Sequence, residues 1–225
     1  MSTSVVHDEA FAHGEPIPGE RWRAGVVLLI VADASFVAAL SFTFLYLRGL
    51  NTQSSFHPGN TGVASLWWPW IVAAVMVVSF VAYRYGMRAS VGRQRLVNGS
   101  LLALVGMVLA LVLNLVEMNL FPFHVSDNAY SAAVWVIAAG NVFHLVLTVF
   151  LALGIVLRVR RGVILGSGDW HVRLVGIWMA WVCAASIIGA LTVSVANGTV
   201  GCPLPGDQPD PGARSVLAPS CVSSR

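Results

Sequence analysis

Apolar residues come in five long, nearly uninterrupted blocks, and polar residues are confined to the stretches between them. The blocks run roughly Ala24–Leu47, Trp67–Tyr85, Gly99–Phe121, Ser131–Leu157 and Leu174–Ala196. Each is close to the ~20 residues that an α-helix needs to cross a hydrocarbon layer. None shows the short period-two alternation of a membrane β-barrel. The pattern therefore predicts an all-α, polytopic membrane protein with five transmembrane helices in a bundle. It divides the chain into a polar N-terminal tail (1–21), a five-helix transmembrane domain (22–197) and a Pro/Gly-rich tail (198–225).

Composition agrees with the pattern. The chain of 225 residues is 57% hydrophobic and only 10% charged, with a mean hydropathy of +0.77. Soluble domains usually carry about 25% charged residues. All 13 basic residues are arginine, and their placement is uneven. Arg21 and Arg23 precede the first block, Arg84–Arg95 follow the second, and Arg158–Arg173 follow the fourth. Only Arg48, Arg214 and Arg225 fall on the opposite side. By the positive-inside rule this places the N-terminus in the cytoplasm and the C-terminus outside. The pI near 9.1 is thus a topology signal. The arginines of the short loops suit anionic lipid headgroups, and no basic patch with aromatic platforms suggests a nucleic-acid partner. Trp22, Tyr46, Trp67, Trp68 and Trp70 read as interfacial aromatics. No cleavable leader is evident, because the first block is too long and no small-residue cleavage site follows it.

The candidate chemistry lies where polar groups interrupt the blocks, since such groups are costly in a membrane. Asp33 lies about 13 Å into the first helix at 1.5 Å per residue. Asn114 and Glu117 share one face of the third helix as an i,i+3 pair, with Glu117 about one turn short of its outer end. Asn141 and His144 repeat that spacing on the fourth helix, and His144 falls about 20 Å below its outer start. Depth counting therefore separates an outer group around Glu117 from a mid-membrane level shared by Asp33 and His144. It makes Asp33 the better partner for His144. The short connection Pro122–Asp127 makes helices three and four an antiparallel hairpin, with Ser126 or Asp127 as candidate cap of the fourth. His144 is the sole histidine deep in a span, so no bis-ligated haem fits. His7 and His13 match no compact ligand spacing, and no metal site is expected. Small residues over Ala184–Thr192 suit close helix packing, with Cys183 as a core filler. Cys202 and Cys221, with 18 residues between them in the tail, are a disulfide candidate if that tail is extracytoplasmic.

Four fragments, in order, give a resemblance to subunit III of the haem–copper oxidases in its short, five-helix bacterial form. The first is D-A-S-F-V-A-A-L-S-F-T-F-L-Y-L-R, with Asp33 in place of the family's usual glutamate. The second is N-L-V-E-M, which puts Glu117 on the acid of the family's Q-x-x-E-Y. The third is N-A-Y-S-A at Asn128–Ala132, against N-A-Y-G-S. The fourth is A-A-G-N-V-F-H, in which His144 matches the second histidine of T-G-x-H-x-x-H and Asn141 replaces the first. The order holds over about residues 22–160. The family's W-H-F-V-D of the last helix has no counterpart, since Trp170-His171 stands too early, so the chain resembles a divergent member.

What the resemblance implies is a subunit without redox centres. It would pack on the catalytic subunit I, with subunit II in the same complex. It would hold structural phospholipid and support proton uptake during aerobic electron transport in a bacterial plasma membrane. Haem and copper would reside in subunit I, with no cofactor on this chain. It would belong to an oxidoreductase only as a subunit, with no catalytic residue of its own. Asp33, Glu117, His144, Asn114 and Asn141 would be internal polar contacts of the bundle or its lipid cleft. Two alternatives stay open: an accessory subunit associated with nitric oxide reductase, and a small proton-linked transporter that uses Asp33 and His144.

Overall fold

The computed structural model describes residues 18–50, 56, 62–87, 93–162, 164 and 170–197. His7, His13, Cys202 and Cys221 lie outside the described residues. Five helices follow in order: α1 (Pro18–Gly49), α2 (Trp67–Gly86), α3 (Arg93–Asn119), α4 (Ala129–Arg160) and α5 (Trp170–Asn197). All five are long and apolar enough to cross a membrane, and no strand occurs among the described residues. α1 and α4 have 32 residues each. At 1.5 Å per residue they extend about 48 Å, well beyond the ~30 Å hydrocarbon thickness. Their surplus turns carry the polar ends of the apolar blocks.

The third block is the exception, because its helix stops at Asn119 and not at Phe121. Pro122 disfavours helical geometry in the residue before it. The chain turns out of the helix there, with Leu120 N–H shared between the carbonyls of Val116 and Glu117, each at 3.0 Å. The cap of α4 also differs from expectation. Asn128, not Ser126 or Asp127, takes the N-cap position, and its side chain accepts from the Ser131 N–H at 2.8 Å. Asp127 instead accepts from the His124 N–H at 2.7 Å. A cap must sit one residue before the first helical turn, and Asp127 is one position too early.

α2, α3, α4 and α5 close into a ring, each packed on its two neighbours. α2 and α3 approach most closely where Gly86 faces Gly99. A Cβ on either would lie 2.5–2.6 Å from the other's Cα, so these two backbones touch. Small residues permit such an approach and supply the packing that holds helices together in lipid. Further along the same seam Ser79, folded back on the Val75 carbonyl at 2.6 Å, fills the space beside Gly106.

α1 stands outside the ring and packs on α4 and α5 alone. None of its most apolar window is buried, against half of the α5 window. Apolar packing of α1 is concentrated at one end, where Phe44 is fully buried beside Tyr130, and over the rest of the helix contacts to α5 take its place. Trp22 stacks on Trp170 at 5.7 Å. Trp181 Nε1 donates to Asp33 Oδ2 at 2.5 Å. Thr192 Oγ1 gives its one proton to the Ile188 carbonyl at 2.8 Å and accepts from Ser41 Oγ at 3.2 Å, and Arg48 Nη1 donates to the Val195 carbonyl at 3.0 Å. The three hydrogen-bonded pairs are separated in sequence by 148, 151 and 147 residues. An offset that nearly constant means two parallel helices in fixed register.

The connection from α1 to α2 is held down at the same end as Arg48. Tyr130, fully buried, donates its N–H to the Phe56 carbonyl at 3.1 Å and accepts from the Ala64 N–H through its hydroxyl at 3.0 Å. Phe44 and Phe56 meet edge to face beside it, at 5.7 Å. At the opposite end Tyr83 donates to the Val172 carbonyl at 2.8 Å and ties α2 to α5.

Candidate functional site

The polar side chains predicted from sequence converge on one region, where α1 crosses the face of α4 and α5. His144 Nε2 lies 3.0 Å from Asp33 Oδ1 and 2.8 Å from Oδ2. Both side chains are largely shielded, at 5% and 15% exposure. The Asp33 carboxyl also accepts from Trp181, so it receives one contact from α4 and one from α5. Around His144 the helix is braced: Thr148 Oγ1 donates to the His144 carbonyl at 2.7 Å, and Trp178 Nε1 donates to Thr148 Oγ1 at 3.0 Å. The Trp178 ring meets the imidazole edge on, at 6.3 Å.

Asn114 and Asn141 form a second polar element, one turn away on each helix. Asn114 Nδ2 donates to the Ala138 carbonyl at 3.3 Å, and Asn141 Nδ2 donates to Asn114 Oδ1 at 2.6 Å. The direction of this chain is forced. A backbone carbonyl can only accept, so Asn114 must turn its amine toward Ala138 and its oxygen toward Asn141. Asn141 then has to spend its amine on Asn114. Its own Oδ1 is buried without a partner among the described residues.

These groups face a cavity of about 60 Å³. One water needs about 10–15 Å³ by this measure, so the space admits several. Asn114, Glu117, Asn141, His144, Ser41 and Ser186 supply its polar lining, and Phe36, Leu40, Val134, Ile137 and Val193 are among its apolar walls. Glu117 is 93% buried, from an exposure of 7%, and its carboxyl makes no hydrogen bond or ion pair among the described residues. The two levels, Glu117 toward one end and His144 deeper, open onto one space. Both residues line the same cavity, which extends along the helix axis, and the two asparagines lie on its wall between α3 and α4.

Sequence reasoning missed Trp181, Trp178 and Thr148. One signal was available for the first. Trp181 lies 11 positions after Trp170, as Asp33 lies 11 after Trp22, and those tryptophans stack. An indole N–H in an apolar helix needs an acceptor, so level counting could have paired it with Asp33. Cys183 is buried in the core with a free thiol, and His124 is exposed. Among the described residues no three His, Cys, Asp or Glu side chains gather into a metal-ligand set. The arrangement can hold and exchange protons and can bind hydrogen-bond donors.

Fold and site together define a class: an all-helical protein with five helices of membrane-crossing length around a partly polar cavity. No protein-family model matches the chain, and no curated protein matches it.

Proposed function

We propose that the chain is a non-redox subunit of the subunit III kind in a bacterial haem–copper oxidase, set in the plasma membrane with its N-terminus in the cytoplasm. One observation carries the reading. The positions that match the subunit III pattern come from three separate helices, and they meet. Asp33 touches His144, Asn141 touches the α3 helix that carries Glu117, and Asn128 and Tyr130 build the start of α4. In this role the chain packs on the catalytic subunit I beside subunit II, binds phospholipid and supports proton uptake during aerobic electron transport. Haem and copper belong to subunit I, and the internal polar residues hold the bundle in shape.

Purification from native membranes in a mild detergent tests the proposal. The expected result is co-elution with larger subunits and a haem absorption spectrum. Monodisperse elution alone, without haem, would overturn it. Turnover of the purified complex with oxygen and with nitric oxide separates an oxidase from a nitric oxide reductase association.

A second reading is favoured by the Asp33–His144 pair itself, because intramembrane ionisable pairs mark proton relays in transporters. It predicts proton flux in vesicles that hold the chain alone, lost in Asp33→Asn.

A further inference from the structure

Helices α4 and α5 do not close on each other at the level of the cavity. The residues they turn toward it are mostly small: Ala138 and Gly140 on α4, and Ala185, Ser186, Gly189 and Ala190 on α5. Small residues usually bring helices together. Here they leave a slot. A Cβ added at Gly140 would meet nothing within 4 Å, so packing does not seal the space there. Phe36 and Leu40 of α1 cover the slot from outside the ring, and Glu117 of α3 reaches it from across the ring.

The slot is long and narrow. On α4 its lining runs from Val134 to His144, about 15 Å at 1.5 Å per residue. Spread over that length, the cavity admits water-sized spheres in little more than single file, a passage about 5 Å across. That is the girth of one unbranched hydrocarbon chain, and a ring or a second chain does not fit beside it.

The polar lining is mostly engaged. Asn114 and Asn141 bond each other, and Asn141 Oδ1 is closed off from the space. His144 Nε2 meets Asp33, and Ser41 meets Thr192. Glu117 and Ser186 remain, neither with a hydrogen bond among the described residues. Glu117 is only 7% exposed, yet its carboxyl oxygens are not sealed, which leaves the carboxyl open to the space it lines. No arginine lines the slot, and the chain has no lysine. A phosphate or carboxylate head would meet an acid there and no counter-charge. A buried acid calls for a cationic partner, and apolar walls with one polar group at an end complement an amphiphile.

We propose that the slot between α4 and α5 binds one single-chain cationic amphiphile of the long-chain primary amine class. Its ammonium head donates to the Glu117 carboxyl, and its tail lies along Gly140 and Gly189 beneath Leu40 of α1. The site belongs to this chain alone, is separate from any phospholipid contacts of an oxidase subunit, and stands whether or not the chain assembles with an oxidase.

Photolabelling of the purified full chain, with any subunits it retains, in nanodiscs of zwitterionic lipid tests this. The probe is dodecylamine with a diazirine at mid-chain, mapped by peptide mass spectrometry. Label is expected on residues 137–144 of α4 and 185–193 of α5. Unlabelled dodecylamine displaces it, whereas dodecanol and dodecanoate at the same concentration do not. Glu117→Leu lowers labelling about tenfold or more, as loss of a hydrogen bond between charged groups does. Gly140→Leu grows a side chain into the open space, leaves Glu117 intact and lowers labelling by a similar factor, which separates a blocked slot from a misfolded Glu117 variant. Three results would overturn the proposal. Label confined to the outward-facing Val136, Phe143 and Phe150 would mean contact with bilayer-dissolved probe alone. Displacement by dodecanol as effective as by the amine would mean that Glu117 does not read the charge of the head. Labelling unchanged in Gly140→Leu would place the probe outside the slot.

Discussion

The Asp33–His144 contact sets up a double-mutant cycle with a defined outcome. Asp33→Ala removes the acceptor for two donors, His144 Nε2 and Trp181 Nε1. His144→Ala removes one of those contacts and leaves the other. Interhelical hydrogen bonds in membranes average about 0.6 kcal/mol and reach about 1.7. Two such bonds make the expected loss in Asp33→Ala about 1–3 kcal/mol. A donor left unpaired in a buried position adds to this, so the upper part of the range applies. Asp33→Asn keeps one acceptor oxygen and should lose about half as much. The coupling between the two alanine substitutions should be about 0.6–1.7 kcal/mol, roughly a three- to twentyfold change in the unfolding equilibrium. Reversible unfolding in mixed micelles, read by far-UV circular dichroism, measures all four corners. Trp181→Phe provides the comparison, since it deletes one donor while the Asp33–His144 contact remains. A coupling within about 0.5 kcal/mol of zero, the level at which independent sites add, would refute the account of α1 as a helix held by polar contacts.

Further outcomes follow from other parts of the bundle. Gly86→Ala or Gly99→Ala places a methyl group against the facing backbone, and overpacking of this kind costs about 1–3 kcal/mol. Gly154→Ala, with nothing within 4 Å of the added atom, should instead raise thermal stability by about 0.5–1 kcal/mol through helix propensity. Thr148→Val strands the Trp178 indole N–H and should destabilise by about 1–3 kcal/mol, with Thr148→Ser largely restoring it in the same unfolding assay. Asn128→Ala removes the α4 cap and should cost about 1 kcal/mol, seen as faster amide exchange in the first turn of α4.

The five apolar blocks made the helices legible, because membrane thickness sets a length that composition alone can meet. Their ends were less so. The stop at Asn119 depends on Pro122, and the Asn128 cap depends on where the first turn closes, neither of which hydropathy reports. Level counting placed Asp33 opposite His144, since depth along a helix follows directly from residue number. The same counting divided Glu117 from His144, because it measures position along the axis and says nothing about which way a side chain points. A cavity that runs along the axis joins residues at different levels. The Gly86–Gly99 contact was also out of reach, because it requires knowing which faces meet, and the α1–α5 register was legible only as matching levels.

That register also bears on how the protein is made. Asp33 is synthesised 111 residues ahead of His144 and 148 ahead of Trp181. At about 5–20 residues per second, the second interval lasts about 7–30 s. Until α4 is made Asp33 has no partner, and an acid at the centre of a lone transmembrane helix costs about 2.5–3.5 kcal/mol. The first helix to leave the ribosome is therefore the last to find its place. Until α5 arrives, α1 is held by α4 alone, through the Asp33–His144 contact, and its register is unset.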